Sequence, residues 1–315
     1  MLKKLLLGLV IAIGVLIGLV YTFPEHALAL AMDAERDASG LQAETVAVGD
    51  LKWHLLAGGN AAADGLPLVL IHGFGGNADH WTRTARTLTP RMRVIAPDLI
   101  GFGSSDALHG GDFTIPAQVA RLHALLQQMG VHKAHFGGNS MGGWVAGAYA
   151  ATYPAEVASL WLLDSAGLNT TKSEMTLRME QGHKLPLVVR SAEEFDARMG
   201  WVFVTPPRLP GPLKGVLMAR DIANADHYDA IRAQLYGVSL WLDTLIPNTA
   251  AAHIPALIVW GEKDRVLHPD GATALQALLP KSKKIMMPDI GHCPMLEVPT
   301  QAAADYLAWR DNSKL

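Results

Sequence analysis

The amino-acid sequence predicts an α/β fold in which a mostly parallel central sheet carries helices on both faces. Short apolar runs alternate with stretches of helical periodicity along most of the chain. The runs are apolar at successive positions, which is typical of strands that are buried on both faces. Gly, His, Asp and Ser residues follow the predicted strands, at the edge of a parallel sheet where ligands usually bind.

An apolar segment at residues 5–23 precedes this region and follows Lys3 and Lys4. As a helix it would extend roughly 28 Å, close to the thickness of a bilayer core. The lysines predict that the N-terminus stays in the cytoplasm and that the rest is exported. Residues 1–23 are therefore predicted to be a membrane anchor with the rest of the chain on the periplasmic side of an inner membrane. Small residues at 27–31 leave a cleaved signal and secretion as the alternative.

Composition excludes several classes of protein. Half of the residues are hydrophobic and the net charge is −3, which argues against disorder and against a nucleic-acid-binding protein. The single cysteine, Cys293, excludes an intramolecular disulfide and a cysteine-rich metal site. No His-Glu-x-x-His or Cys-x-x-Cys motif is present, so no metal centre is predicted. The segment at residues 101–105 has too few glycines to bind a dinucleotide, and no cofactor is predicted.

The strands and helices are predicted in the following order. Residues 24–48 form a connector, which is helical or irregular over 24–40. The predicted strands are residues 66–71, 93–96, 133–136, 160–163, 256–260 and 284–287, and the clearest helices are residues 116–129, 141–153 and 269–279.

The alternation stops over residues 167–252, which are rich in proline, methionine and aromatic residues. A loop of that length without secondary structure is rare in a compact domain. The segment is therefore predicted to be an inserted helical cap, with one helix near residues 192–203. Residues 49–166 and 253–315 remain as the predicted α/β core.

A nucleophile is predicted at Ser140, within the sequence Gly138-Asn139-Ser140-Met141-Gly142 between a strand and a helix. This pattern, G-x-S-x-G, is typical of a sharp turn that exposes a strained serine, and the glycines prevent clashes around it. A serine hydroxyl also needs a base to remove its proton.

The acid and the base are expected further along the chain in the order Ser, acid, His. Asp264 follows the strand at residues 256–260, and His292 follows the next strand. His292 would move the proton while Asp264 fixes its tautomer. Two other acids, Glu262 and Asp164, remain as alternatives to Asp264. Backbone N–H groups must stabilise the anionic intermediate. Phe74, with Gly75 as the alternative, and Met141 are the candidates for this oxyanion hole.

On these motifs the chain resembles the α/β-hydrolases over about residues 49–309, and within them the bacterial lipases of family V. The segments that carry the resemblance are IHGFGGN (71–77), APDLIGFG (96–103), GGNSMGG (137–143), SLWLLDSAG (159–167), VWGEKD (259–264) and IMMPDIGHCPM (285–295). The resemblance implies an α/β-hydrolase fold with Ser140, Asp264 and His292 as the catalytic triad.

The expected function is hydrolysis of carboxylic esters, acylglycerols or similar apolar esters, through an acyl-enzyme. The expected partners are a lipid substrate and, through the N-terminal helix, a membrane. Two alternatives remain: a hydrolase of C–C bonds in ring-cleavage products, which carries a similar elbow, and a non-catalytic, membrane-anchored binding protein on a hydrolase fold. Oligomeric state is not indicated by the sequence.

Overall fold

The computed structural model describes residues 6, 14, 17–62, 64–237, 240–247 and 249–314. About half of the predicted membrane segment at residues 5–23 lies outside the described residues. Among the helices that are described, none combines the length and the apolar character needed to cross a bilayer.

Eight strands form one sheet within the described part of the chain, in the order β1-β2-β4-β3-β5-β6-β7-β8. The first pairs, β1 with β2 and β2 with β4, are antiparallel, and all later pairs are parallel. The strands are β1 Leu41–Val48, β2 Leu51–Gly58, β3 Leu68–Ile71, β4 Val94–Pro97, β5 Ala134–Asn139, β6 Val157–Leu163, β7 Ala256–Gly261 and β8 Ser282–Met287.

Helices surround the sheet and form most of the connections between its strands. They are α1 Pro24–Ser39, α2 Thr82–Leu88, α3 Ile115–Gln128, α4 Met141–Thr152, α5 Glu174–Glu180, α6 Ala192–Val202, α7 Gly211–Ala223, α8 Ala225–Gly237, α9 Leu242–Leu245, α10 Asp270–Leu278, α11 Pro294–Glu297 and α12 Pro299–Asn312.

The sheet separates two hydrophobic clusters, because successive strand residues point to opposite faces. On β3, Val69 and Ile71 belong to the cluster that includes buried residues of α3 and α4. Leu68 and Leu70 belong to the other cluster, with buried residues of α2 and α12. The predicted α/β architecture, with a mostly parallel sheet, is therefore confirmed. Each predicted strand coincides with one of β3–β8 to within three residues, and the three clearest helices match to within one.

The antiparallel hairpin of β1 and β2 was not predicted. Residues 41–48, assigned to the connector, form β1 and pair with β2 from Leu41↔Gly58 to Val48↔Leu51. The sheet thus begins at Leu41 rather than after residue 48. Most residues of β1 are exposed or half-exposed, so the strand has no apolar run that a sequence pattern could reveal. The preceding residues, predicted as helical or irregular, form helix α1.

Between β6 and β7 the chain forms helices α5–α9, which lie in the segment predicted to be a cap. One of them, α9, packs against α4, the helix that follows the predicted nucleophile. The division of the chain into a catalytic core and a cap stays a prediction.

Candidate active site

Ser140 occupies the turn between β5 and α4 with φ 56° and ψ −120°. A non-glycine residue at positive φ is strained by about 1–3 kcal/mol, so the surrounding backbone must hold it there. The neighbouring glycines allow this packing. A Cβ on Gly138 would lie 2.2 Å from the Gly142 oxygen, and a Cβ on Gly142 would lie 2.1 Å from the Ile71 oxygen. The turn therefore requires glycine on both sides of the serine.

Asp264 and His292 form a buried hydrogen-bonded pair. The distance from His292 Nδ1 to Asp264 Oδ2 is 2.8 Å. The other carboxylate oxygen, Oδ1, accepts the backbone N–H groups of Val266 at 2.8 Å and Leu267 at 3.0 Å. This arrangement favours an ionised Asp264 and an Nδ1–H tautomer of His292. The Nε2 atom of His292 is then free of its proton and has the chemistry of a general base.

Asn139 connects the serine turn to the histidine loop. Its side-chain Nδ2 donates to the carbonyl of His292 at 2.9 Å and to the carbonyl of Leu163 at 3.2 Å. The backbone N–H of Ser140 also donates to Leu163, at 3.1 Å. The buried side-chain amide of Asn139 thus holds the Ser140 turn and the His292 loop together at the end of β6. No such role was predicted for Asn139, although it lies within the G-x-S-x-G motif.

The two predicted oxyanion donors lie near the nucleophile. Phe74 and Met141 line one pocket together with Ser140. Met141 is the first residue of α4, and an N–H group at that position has no acceptor within its own helix. A Cβ on Gly73 would lie 3.2 Å from the Ser140 Cβ, so the loop that carries Phe74 lies against the serine.

Buried polar groups hold the loop at residues 72–78 in place. His72 Nε2 accepts the backbone N–H of Leu99 at 3.0 Å, and its Nδ1 donates to the Gly73 carbonyl at 2.8 Å. Burial lowers the pKa of His72, consistent with this neutral form. Asp98 accepts the N–H of Ala78 at 2.6 Å. Neither His72 nor Asp98 was predicted to support the site, although both lie in segments that carry the family resemblance.

The pocket around Ser140 is narrow and mainly apolar. About 30 Å³ of it can be reached by the centre of a water molecule. Its lining combines residues of the sheet domain with residues between β6 and β7: Phe74, Ser140, Met141, Trp144, Ala166, Met175, Leu185, Leu187, Arg232, Leu235, Val266 and Leu267. Such a surface suits an acyl chain better than a charged or strongly hydrated substrate.

Of the three candidate acids, Asp264 makes the contact with His292. Glu262 is exposed. Asp164 is fully buried and lies near the pair: one ligating atom each of Asp164, Asp264 and His292 lie within 4.8 Å of one another. In the described part of the chain, these three side chains form the set whose ligand atoms are close enough together to hold a metal ion. Both carboxylate oxygens of Asp264 already accept hydrogen bonds, so Asp264 and His292 have the chemistry of an acid–base pair.

Glu297 joins the histidine loop to the chain after α6. Its Oε1 accepts the backbone N–H of Gly291 at 2.8 Å, and its Oε2 accepts those of Val204 at 2.5 Å and Thr205 at 2.8 Å. The N–H of His292 donates to the carbonyl of Val202 at 3.0 Å. No sequence motif indicated this connection, because its members lie about 90 residues apart.

Comparison with known proteins gives consistent matches. The family model described as alpha/beta hydrolase fold matches residues 67–197 and 208–299. Lipase 1 of Psychrobacter immobilis is 40% identical over 279 residues, which cover 88% of this chain and 86% of that protein. Lipase 3 of Moraxella sp. (strain TA144) is 38% identical over 283 residues, with 89% and 88% covered. The crystal structure of a membrane phospholipase A, described as a bacterial virulence factor, is 38% identical, covers 99% of both chains and has a TM-score of 0.89.

Proposed function

Since the chain belongs to the alpha/beta hydrolase fold family, we propose that it hydrolyses lipid esters with Ser140, His292 and Asp264 as its catalytic triad. It is a serine hydrolase that acts on ester bonds, as its lipase relatives indicate. The observation that carries the residue assignment is the buried 2.8 Å contact between His292 and Asp264, with Asn139 fixing the same histidine loop to the serine turn.

The proposed reaction proceeds through an acyl-enzyme. His292 Nε2 takes the proton of Ser140 Oγ as that oxygen bonds to the ester carbonyl carbon. The negative charge that develops on the carbonyl oxygen is stabilised by the N–H groups of Phe74 and Met141. His292 then gives its proton to the leaving alcohol. Water, deprotonated by His292, attacks the acyl-enzyme, and His292 returns that proton to Ser140 Oγ as the fatty acid is released.

The proposed substrates are acylglycerols and glycerophospholipids. The names of the relatives, lipases and a phospholipase A, support this class, and the apolar pocket supports a fatty acyl group. Ligand pockets usually hold about 300–1,000 Å³, far more than the space open beside Ser140. We therefore infer that Met175, Leu185 and Leu187, which line the pocket from the segment between β6 and β7, move when an acyl chain enters.

The test of this function is Ser140→Ala, assayed with p-nitrophenyl esters of increasing acyl length and with emulsified phospholipid. We expect a loss of about 10³-fold or more, because the nucleophile is removed. Ser313→Ala, a change at an exposed position, is the matched control. Hydrolysis that persists in Ser140→Ala would contradict the assignment. A fluorophosphonate probe that labels the wild type and spares Ser140→Ala excludes a non-catalytic binding protein.

We further propose that residues 1–23 anchor the enzyme in the inner membrane, with its catalytic domain on the periplasmic side. Support comes from the apolar run at 5–23, from Lys3 and Lys4 before it and from the likeness to a membrane phospholipase A. Fractionation of cells followed by N-terminal sequencing tests this. An intact N-terminus in the membrane pellet supports an anchor, whereas a soluble form beginning near residues 28–32 means that the segment is a cleaved signal.

A further inference from the structure

A second carboxyl group, that of Asp164, is buried beside the proposed triad. Asp164 directly follows β6, has φ 43° and is 0% exposed. Its backbone N–H donates to the Val259 carbonyl at 3.0 Å, and its Oδ1 accepts the N–H of Gly261 at 2.9 Å. Its Oδ2 is buried without a hydrogen-bond partner among the described residues. The position of the group is therefore fixed by β7, while one of its oxygens remains unused.

Asp164 and Asp264 do not both ionise readily at such a short distance, because two negative charges in a buried site repel each other. Asp264 is the better anion, since it accepts two backbone N–H groups and faces His292. Asp164 accepts a single N–H group. Burial, and next the charge of Asp264, raise the pKa of Asp164 well above its usual range. Because only one of the two carboxyl groups ionises, one proton remains on the pair, and it resides on Asp164.

The other titratable groups around Asp164 reinforce this distribution of charge. Cys293 is buried, and burial raises the pKa of its thiol, so it stays neutral. Glu297 accepts three backbone N–H groups, and its charge also raises the pKa of Asp164. Of the three residues in the cluster of Asp164, Asp264 and His292, only His292 can carry a positive charge. It is therefore the group with which either carboxylate can pair.

We propose that Asp164 is a reserve acid of the site: a protonated carboxyl beside Asp264 that becomes the carboxylate partner of His292 when Asp264 is neutralised. This inference rests on the proposed triad. Asp164 acts through His292 and does not touch the substrate, so it is a positioning residue. One carboxylate oxygen of Asp164 lies within 4.8 Å of a ligating atom of each partner, and its Oδ2 has no hydrogen-bond partner among the described residues, so it is free to make the new contact.

The proposal predicts an unusual response to the loss of Asp264. Replacing the acid of a Ser-His-Asp triad with asparagine costs about 10⁴-fold in kcat. In Asp264→Asn we expect a loss of only about 10²-fold, because Asp164 ionises and pairs with His292. The acid limb of the kcat/KM profile should also move to higher pH, because the more deeply buried Asp164 must now lose its proton.

A double-mutant cycle on p-nitrophenyl butyrate tests the proposal. Asp164→Asn alone is expected to cost about three- to tenfold, whereas adding it to Asp264→Asn should cost a further 100-fold. Glu262→Gln, which removes an exposed carboxylate from the same turn, is the matched control and should not change the activity of Asp264→Asn. Circular dichroism and thermal unfolding monitor folding of each variant.

Additive losses in the cycle, or an acid limb that does not move in Asp264→Asn, would overturn the reserve role and leave Asp164 as a structural residue. If Asp164→Asn does not fold, Asp264→Asn decides alone, since a 10⁴-fold loss would contradict the proposal. Failure of the proposed function is a separate result, because it requires that Ser140→Ala retains hydrolysis.

Discussion

At the scale of single residues, the proposed active site depends on backbone positions that a side chain cannot share. Gly138 and Gly142 on either side of Ser140 leave room for carbonyl groups, and the strain at Ser140 is maintained by that packing. The strained conformation of Ser140 is thus held by its neighbours before any substrate binds. Buried polar side chains such as Asn139 then set the position of the base relative to the turn.

Gly142→Ala tests this dependence. We expect the free energy of unfolding to fall by about 3 kcal/mol or more, because the new Cβ would lie 2.1 Å from the Ile71 oxygen, and esterase activity to be lost. Urea unfolding and a p-nitrophenyl ester assay measure both effects. Gly215→Ala, within helix α7 and with nothing near its added Cβ, should instead stabilise the protein by about 1 kcal/mol. Equal effects at the two glycines would contradict the packing argument.

At the scale of secondary-structure elements, the base-bearing loop is tied to the segment between β6 and β7. Glu297, at the end of α11, accepts the backbone N–H of Gly291 in the base-bearing loop. It also accepts those of Val204 and Thr205 in the segment between β6 and β7. The same segment lines the pocket beside Ser140. Placement of His292 is therefore coupled to an element that, in the proposed function, moves to admit an acyl chain.

Glu297→Ala should lower kcat by about 10- to 100-fold with a smaller change in KM, since the histidine loop loses its connection while the pocket lining is retained. The three N–H groups left without an acceptor should also cost about 1–3 kcal/mol of stability. Steady-state kinetics and thermal unfolding check these effects. Glu297→Gln keeps one acceptor oxygen, so its kcat and stability should lie between those of the wild type and of Glu297→Ala. Glu193→Ala, at an exposed position on α6, serves as the control. A change confined to KM would argue against positioning of the base.

At the scale of the whole molecule, a second hydrogen-bonded series of serine, histidine and aspartate lies at the opposite end of the sheet strands. His135 Nδ1 lies 2.7 Å from Ser159 Oγ, and its Nε2 lies 2.7 Å from Asp64 Oδ2. Asp64 also pairs with Arg310 at 2.7 Å. Ser159 is 0% exposed, so a substrate cannot reach it. This network joins β5 and β6, through Asp64, to Arg310 on the C-terminal helix α12 and stabilises the fold.

Stability should therefore fall in acid through Asp64. Burial raises the pKa of Asp64, but His135 and Arg310 outweigh that effect and lower it from 3.8 to about 2. The contribution of the carboxylate is complete above pH 3.8 and is lost as the pH falls through about 2. Asp64→Asn should cost about 1–2 kcal/mol at pH 7 and less at pH 3, as measured by urea unfolding. Asp311→Asn, which breaks an exposed pair with Arg91, should cost under about 0.5 kcal/mol at either pH. A cost of Asp64→Asn that does not change with pH would contradict this account.

Much of the fold could be predicted because its signals are local. Strands β3–β8 are short apolar runs, and the helices that follow them repeat apolar residues at helical spacing. The β1–β2 hairpin escaped prediction because an exposed edge strand such as Leu41–Val48 needs no apolar run. The sequence predicted Asp264 as the acid but left Asp164 and Glu262 as alternatives, since all three follow strands and differ in burial and in their contacts.

By itself the sequence determined the order of strands β3–β8, the glycines that permit the Ser140 turn and the placement of acid and base after successive strands. These are local properties, set by residue type and spacing along the chain. Tertiary structure alone decided that Asp264 contacts His292, that Asp164 lies beside them with an unused oxygen, and that Glu297 joins the base loop to a distant segment. Those contacts join residues 28 to 128 positions apart along the sequence, so only the packing of the folded chain brings them together.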